Sequence, residues 1–243
     1  MASQTDRPGV AVVVGVGPGL GAALVRRFAE GGHTVAMVAR SREFMDELAA
    51  EIKAAGRGAI LAVNADVGDA AQMRRAFDTV RSKLGAPEVL LYNAGSGNWG
   101  TLTEITPEQY EDSWRTNAYG AFLSAKETVS DMIVKRRGVM LFTGATAGIK
   151  AGPKSVAFGP AKFAVRGLAQ SLARDLGPRG IHVAYVNVDG IIDIPHTRSR
   201  MPSLKNEDLL KPQAIAEAFW YLANQEPSAW TQELDVRPFK EKF

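Results

Sequence analysis

Residues 10–21, VAVVVGVGPGLG, decide how the chain folds. The first five form a continuous apolar run rich in β-branched residues, which is typical of a strand buried on both faces of a parallel sheet. Four glycines then interrupt the run: Gly15, Gly17, Gly19 and Gly21. A turn built from glycines lets backbone N–H groups approach a phosphate without a Cβ in the way.

A helix and a second strand follow this turn. Leu20, Leu24 and Phe28 recur at four-residue spacing, which predicts one apolar helix face. The positive end of that helix would point at a bound phosphate. Residues 34–39 are predicted to form the next strand, which completes the pattern of a dinucleotide-binding unit within about 30 residues. The alternative is an ordinary strand-to-helix turn.

The end of the second strand indicates which dinucleotide is bound. The usual fingerprint has an Asp or Glu about 20 residues after the glycines, which bonds the ribose 2′-hydroxyl. Here the strand ends in Arg40 and Ser41, and the next acidic residue is Glu43. A guanidinium and a hydroxyl suit a 2′-phosphate. We therefore expect NADP, with NAD as the alternative; Arg40 could also be a solvated residue that starts the next helix.

Strands and helices alternate along the rest of the chain. Further strands are predicted over residues 59–64, 89–93, 138–144, 181–188 and 230–236. Further helices are predicted over residues 41–55, 69–84, 107–137, 156–176 and 212–224. The third of these helices should bend near residues 117–120. This order predicts an α/β fold of the Rossmann type: one domain over residues 1–243, with a doubly wound, seven-stranded, mostly parallel sheet and helices on both faces.

Two of the helix starts carry a capping-box pattern. Asp69 is followed three residues later by Gln72, and Thr106 is followed by Gln109. In such a box each side chain bonds the backbone N–H of the other residue.

Composition narrows the possible functions. A chain of 243 residues that is 46% hydrophobic can bury one substantial core. No apolar run approaches the roughly 18 residues that span a bilayer, and the first residues do not resemble a signal peptide, so we expect a cytoplasmic protein without a membrane partner. The absence of cysteine excludes thiol nucleophiles and disulfides. The net charge of +3 and the scattered arginines predict no nucleic-acid partner, and three isolated histidines predict no metal site.

Five motifs, in order and correctly spaced, resemble those of the short-chain dehydrogenase/reductases over nearly the whole chain. They are the glycine pattern at Gly15, Gly19 and Gly21, the pair Asp66–Val67, the triplet Asn93–Ala94–Gly95, the helix-bend residue Asn117, and Phe158 to Lys162 at the Tyr-x-x-x-Lys position. The resemblance implies that the first three of these motifs hold the cofactor, together with Gly17, Leu20, Arg40, Ser41, Thr143, Lys162 and Ile192. It implies catalytic roles for Asn117 and Lys162, the lysine also binding the nicotinamide ribose. It further implies a homodimer or homotetramer.

Two hydroxyls of the family pattern are missing. In the family a Tyr four residues before the Lys exchanges a proton with the substrate oxygen, and a Ser 13 residues before that Tyr orients the substrate. Phe158 and Ala145 occupy these positions. The chain resembles a minor subgroup of the family that has Phe for Tyr and keeps the Lys. General acid–base catalysis contributes about 10²- to 10⁴-fold, so the source of the proton is the open question.

Several residues near the predicted strand ends could supply that proton. Thr143 and Thr146 flank Ala145, while Asp189 and Asp193 follow the sixth strand, at the edge where ligands bind in open α/β sheets. His196 lies in the following loop, and imidazole side chains commonly act as general acids or bases. Alternatively, Asp189 is only a turn residue before Gly190, and His196 is only a surface loop residue.

The substrate is less well defined by the sequence. The segment 191–211 combines apolar residues with arginines, which suits an apolar or an anionic substrate. Trp99 and Trp114 are expected either to wall the pocket or to lie in the core. The C-terminal segment, residues 233–243, could pack across a subunit boundary.

Three functions therefore remain open. The first is an NADP-dependent oxidoreductase that acts on a small carbonyl or alcohol through an altered proton path. The second is a dinucleotide-binding sensor or scaffold with little or no catalysis. The third is an isomerase or dehydratase on the same scaffold.

Overall fold

The computed structural model describes residues 8–241. Its main strands are β1 Val10–Val14, β2 Thr34–Ala39, β3 Ile60–Asn64, β4 Pro87–Tyr92, β5 Gly138–Thr143, β6 Ile181–Val188, β7 Ile191–Ile192, β8 Leu209–Leu210 and β9 Glu233–Val236. Its α-helices are α1 Leu20–Glu30, α2 Arg42–Ala54, α3 Ala70–Leu84, α4 Pro107–Trp114, α5 Gly120–Lys135, α6 Phe158–Leu176, α7 Pro195–Arg200 and α8 Pro212–Ala223. Residues 1–7 and 242–243 lie outside the described residues. The expectation about a signal peptide falls on the first of these segments, and part of the expectation about residues 233–243 falls on the second.

Seven strands form one sheet in the order β3-β2-β1-β4-β5-β6-β9. Each of the pairings described for this sheet is parallel. β1 pairs with both β2 and β4, so the strand order changes direction beside β1, and ligands of such sheets bind at this switch point. The predicted seven-stranded, doubly wound α/β fold is confirmed.

The apolar run of β1 is buried on both faces, as its composition predicts. Val12 and Val14 join the core layer beneath α3, α5 and α6, whereas Ala11 and Val13 join the layer beneath α1, α2 and α8. Those four side chains are 0% exposed. Because β1 is buried on both faces, it fixes the position of the glycine turn at the carboxyl edge of the sheet.

The two predicted capping boxes differ. Thr106 and Gln109 form the complete reciprocal box at the start of α4. Asp69 accepts from the N–H of Gln72 at 2.9 Å, but the Gln72 amide oxygen accepts instead from the N–H of Asp66, at 3.0 Å. The prediction of a full box at Asp69 is therefore wrong: the glutamine bonds the Asp69 side chain, through its Nε2 at 3.0 Å, and the backbone of Asp66, but not the backbone N–H of Asp69.

The long helix bends where the sequence predicts. Residues Arg115–Tyr119 form a π-helical turn between α4 and α5, and Asn117 lies within it. π-turns inside α-helices are frequent at functional sites.

The structure differs from the sequence prediction toward the C-terminus. The segment 191–211 is folded, since β7 pairs with β8 and α7 begins with Pro195 at its first helical position. The last strand begins at Glu233 rather than at residue 230, because the Trp230 ring stacks on His182 with a 4.9 Å centroid separation. Among residues 8–241, no helix has the length and apolar character needed to cross a bilayer.

Candidate active site

The glycine turn after β1 is packed tightly on one side and open on the other. Gly15 has φ +91°, and a Cβ there would lie 2.2 Å from the backbone nitrogen of Ala94. A Cβ on Gly21 would lie 2.4 Å from the carbonyl oxygen of Gly15. A Cβ on Gly17, by contrast, would meet nothing within 4 Å. Two of the glycines thus allow close backbone packing, and the third faces open space.

The start of α1 lies at the same turn. Its N-cap residue is Gly19, which has no side chain to accept from the first helical amides. Helix starts of this kind bind anions, since the amides and the helix dipole both favour negative charge. Ile194 crosses above the turn: its Cγ2 would lie 2.7 Å from a Cβ on Gly19.

A cleft of about 450 Å³ extends from this turn along the carboxyl ends of β1 to β4. Twelve of the residues predicted to hold the cofactor line it together: Gly15, Gly17, Gly19, Leu20, Gly21, Arg40, Ser41, Asp66, Val67, Asn93, Ala94 and Gly95. Thr116 and Ile194 also line it. We refer to this space as the nucleotide cleft.

Arg40 and Ser41 stand at the outer end of the nucleotide cleft. Arg40 is exposed, and within residues 8–241 its guanidinium makes no ion pair, whereas the neighbouring Arg42 is paired with Asp46 at 2.8 Å. Ser41 is the N-cap residue of α2, but its hydroxyl makes no capping bond. Both side chains are therefore available to a phosphate group at this end.

Asn93 braces the inner end of the cleft. Its Nδ2 donates to the carbonyl oxygen of Gly15 at 2.8 Å, and its Oδ1 accepts from the Thr143 hydroxyl at 3.2 Å. These bonds join the ends of β1, β4 and β5. Asn93 therefore fixes the shape of the glycine turn.

A second cavity of about 690 Å³, the reaction cavity, continues from the nucleotide cleft past β5 and β6. Thr143, Lys162 and Ile192, the other predicted cofactor residues, line it, as do Ala145 and Phe158. The Trp99 ring lies 4.8 Å from the Phe158 ring, centroid to centroid, so Trp99 does form a wall. Trp114 meets neither expectation: its ring stacks on Tyr119 at 5.5 Å, outside the residues that line this cavity, and it is 44% exposed rather than in the core.

Lys162 is buried at the floor of the reaction cavity. α6 places it one turn after Phe158, with its Nζ 5.6 Å from the centroid of that ring. The Nζ donates to the carbonyl oxygen of Thr143 at 3.0 Å, and no carboxylate of residues 8–241 pairs with it. Burial lowers the pKa of Lys162 to about 8. An ammonium group held in this way is available to a ligand above it.

Asn117 is fully buried in the π-turn and points an unused acceptor toward Lys162. Its Nδ2 donates to the carbonyl oxygens of Ser96 (3.0 Å) and Ser113 (2.8 Å), while no protein donor in the described part of the chain bonds its Oδ1. A Cβ built on Gly95 would lie 3.3 Å from that Oδ1 and 3.8 Å from the Lys162 Nζ. The two predicted catalytic side chains thus converge at Gly95.

The candidate proton donors divide into two groups. Thr146 lines the reaction cavity and donates to a carboxylate oxygen of buried Asp189 at 2.6 Å. Asp193 is paired with Arg198 at 2.7 Å, and this hydrogen bond lowers the pKa of Asp193. His196 is exposed and is not part of the cavity lining. Thr143 also lines the cavity, but its hydroxyl donates to the Asn93 amide oxygen, so of these candidates Thr146 is the one at the cavity wall that is bonded to a carboxylate.

Sequence reasoning missed the residue that supports the loop after β5. The Tyr185 hydroxyl lies beneath this loop, where it accepts from the N–H of Ala145 at 3.3 Å. A Cβ on Gly144 or Gly148 would come within 2.4 Å of that hydroxyl. Burial raises the pKa of Tyr185 to about 12, so this phenol is not a replacement acid. Nothing in a strand pattern distinguishes such a residue from ordinary core.

Comparison with known proteins agrees with this geometry. The family described as short chain dehydrogenase matches residues 9–204. The chain belongs to the short-chain dehydrogenase family. Relatives of this short-chain dehydrogenase include 2-(R)-hydroxypropyl-CoM dehydrogenase of Xanthobacter autotrophicus, which is 31% identical over 89% of this chain and 92% of the relative.

Solved structures show the same relationship. A short-chain dehydrogenase from Rhodopseudomonas palustris is 33% identical, with a TM-score of 0.82 over 95% of this chain and 99% of the other. A metagenomic short-chain oxidoreductase in complex with NADP is 27% identical, with a TM-score of 0.83 over 95% of this chain and 96% of the other.

Proposed function

We propose that this short-chain dehydrogenase is an atypical, NADP-dependent oxidoreductase that reduces or oxidises a small carbonyl or alcohol. The observation that carries the proposal is the convergence of buried Lys162 and the unused Asn117 Oδ1 at Gly95, where the nucleotide cleft meets the reaction cavity. A buried, unpaired ammonium destabilises the fold. Its presence is accounted for if it binds a ligand there.

The residues present fit a dinucleotide. The open side of the turn at Gly17 and the start of α1 would hold the diphosphate, and Asp66 with Val67 would flank the adenine. Arg40 and Ser41 would bind the 2′-phosphate, which supports NADP over NAD. When bound, the nicotinamide supplies or accepts a hydride. The chain's own part is to orient the ribose through Lys162 and to exclude water with Phe158 and Trp99.

The proton cannot come from the family's usual position. Phe158 has no hydroxyl, and Ala145 has none with which to orient a substrate oxygen. The Lys162 ammonium beside the cavity can stabilise a developing oxyanion electrostatically. The proton therefore follows a different path from that of the family.

A second candidate, a dinucleotide-binding protein without catalysis, is favoured by the same two replacements. A panel of small aldehydes, ketones and enones, followed by NADPH absorbance, separates the two candidates. Turnover that is lost in Lys162→Met and kept in Lys53→Met, a change of an exposed lysine on α2, supports the enzyme. No turnover across the panel, with NADPH bound, favours the binding protein.

We also propose that the protein assembles into a homo-oligomer. Four aromatic side chains on α4, α5 and α6 are 43–44% exposed, and they support a homodimer or homotetramer formed through these helices: Tyr110, Trp114, Phe122 and Phe163. Equilibrium sedimentation of the protein and of a Phe122→Glu, Phe163→Glu variant tests this assembly. A cytoplasmic location stays a prediction from the sequence.

A further inference from the structure

A hydrogen-bonded pair, Thr146 and Asp189, forms part of the reaction-cavity wall beside Ala145. The Thr146 Oγ1 lies 2.6 Å from the Asp189 Oδ1, a short distance typical of a hydroxyl that donates to an ionised carboxylate. Thr146 itself lines the cavity, whereas Asp189 is only 5% exposed and lies behind it. The hydroxyl therefore stands between the cavity and a buried carboxylate.

The charge of Asp189 is compensated from the other side. An Arg237 nitrogen lies 3.5 Å from the Asp189 Oδ2, and the same guanidinium binds Asp235 at 2.7 Å. Arginine stays protonated in proteins, so Arg237 places a positive charge beside Asp189. Because the Thr146 proton is committed to that carboxylate, the lone pairs of Oγ1 remain available to accept a proton from a ligand.

The cavity lining holds other polar groups, among them Thr143, Thr197 and Glu241. The Thr143 hydroxyl donates to the Asn93 amide oxygen at 3.2 Å, and an amide is not a base. Thr146 directly follows Ala145 and is backed by a buried carboxylate. A substrate oxygen would therefore find there an acceptor with an outlet for its proton, next to the position where Ala145 lacks a hydroxyl.

Building on the proposed function, we infer that Thr146 and Asp189 form the proton path that Phe158 and Ala145 do not provide. In the oxidation of an alcohol, the substrate O–H bond breaks and its proton passes to the Thr146 oxygen, whose own proton passes to Asp189. The C–H bond on the carbon that bears this oxygen also breaks, and its electron pair would leave as hydride, for which an oxidised nicotinamide held in the nucleotide cleft would be the acceptor. A carbonyl and a neutral Asp189 carboxylic acid result, and the acid then releases its proton to solvent. Reduction runs the same path backward.

The first test measures binding without turnover. Calorimetry of trifluoroethanol binding to the NADP⁺-loaded protein compares the unchanged protein with Thr146→Val, Thr146→Ser and Thr128→Val. Thr146→Val should weaken the binding about tenfold, the loss of one hydrogen bond. Thr146→Ser keeps the hydroxyl and should bind within about threefold of the unchanged protein. Thr128 is a fully buried threonine of α5 whose hydroxyl bonds only backbone oxygens, so Thr128→Val controls for a lost buried hydroxyl.

The second test separates positioning from proton transfer. Asp189→Asn keeps an oxygen that can accept from Thr146 but loses the base, so trifluoroethanol binding should stay within about threefold while kcat falls by about 10²-fold or more. The control, Asp235→Asn, removes a second carboxylate that binds Arg237, and Asp235 does not bond Thr146. It should retain kcat within about threefold.

The outcomes also separate this inference from the proposed function. If NADP⁺ and NADPH do not bind, the proposed function fails. If they bind but trifluoroethanol does not, or binds Thr146→Val as tightly as the unchanged protein, the Thr146–Asp189 path is wrong and the proposed function stands. Full kcat in Asp189→Asn would equally overturn the path.

Discussion

The nucleotide cleft and the reaction cavity are neighbours built in different ways. The cleft is made largely of backbone: glycines that pack against main-chain atoms, a helix start without a capping side chain, and strand ends braced by Asn93. The reaction cavity is made of side chains carried on the loop after β5 and on α6. The motif residues that resemble the family's line the first region, whereas in the second Phe158 and Ala145 stand where the family has two hydroxyls.

This difference shows which features of an active site a fold can fix. Backbone geometry at Gly15 and Gly21 cannot change without a steric clash, so the cleft is tied to the fold itself. A hydroxyl at residue 145 or 158 is needed for the reaction but not for the fold, since the structure accommodates Ala and Phe at these positions. The fold therefore preserves a dinucleotide site more firmly than it preserves a particular proton donor.

Of the changes proposed here, restoring the two hydroxyls of the reaction cavity should have the largest effect, a rise in the rate of carbonyl reduction. The double variant Phe158→Tyr, Ala145→Ser should raise carbonyl reduction by about 10²- to 10⁴-fold, because it adds a general acid beside Lys162. The measurement is kcat for NADPH oxidation with the best substrate of the panel. A double variant that binds NADPH and remains no faster than the unchanged protein would show that the cavity does not present a carbonyl to residue 158.

Adding a single methyl group to a glycine of the nucleotide cleft should change either the stability of the protein or its affinity for NADPH, depending on the position. Gly15→Ala places a Cβ 2.2 Å from backbone at a φ of +91°, and we expect it to lower the free energy of unfolding by about 4 kcal/mol. Gly17→Ala is the matched control, because its Cβ meets no atom within 4 Å of the described chain. It should keep the stability and weaken NADPH binding about tenfold. Urea unfolding and NADPH titration measure the two effects; equal stability of both variants would contradict the packing role of Gly15.

Burial of the Lys162 ammonium should make the free energy of unfolding depend on pH. Its pKa is about 8 in the folded protein and 10.5 in the unfolded chain, so the unfolded state binds more protons between these values. Stability should therefore rise with pH through this window, by about 3 kcal/mol in total, and the full penalty should persist below pH 8. Lys162→Met removes the penalty, so its advantage over the unchanged protein should be largest at pH 7 and vanish by pH 10.5.

Urea unfolding of both proteins across pH 7 to 10.5 checks this expectation, and Lys53→Met serves as the exposed-lysine control. A difference between Lys162→Met and the unchanged protein that does not vary with pH would mean that the lysine is not desolvated.

Most of the fold followed from the sequence because strict alternation of strands and helices leaves few topologies. The continuous apolar run of β1 and the start of α4 at Pro107 were particularly reliable signals. The twelve predicted residues of the nucleotide cleft came from the glycine turn, from the end of β2 and from the resemblance to the family. They lie together because a parallel sheet brings the ends of its strands to one edge.

Contacts between side chains distant in sequence could not be predicted. Gln72 bonds Asp66 instead of completing a capping box, Trp230 stacks on His182 instead of extending β9, and Tyr185 supports the loop after β5. Each depends on packing across elements and leaves no periodic signal. Trp114 illustrates the same limit, because an aromatic residue on a helix can face either a cavity or a neighbouring ring.

Both proposals require a dinucleotide bound in the nucleotide cleft with its 2′-phosphate at Arg40. Energy transfer from tryptophan to NADPH, with Trp99 lining the reaction cavity, measures this binding directly. NADPH should bind more tightly than NADH, and Arg40→Ala should weaken NADPH about 10- to 100-fold, the loss of charge-assisted hydrogen bonds, while changing NADH less than about threefold. Arg42→Ala, beside it but paired with Asp46, should leave both unchanged. No energy transfer at millimolar NADPH would contradict the account.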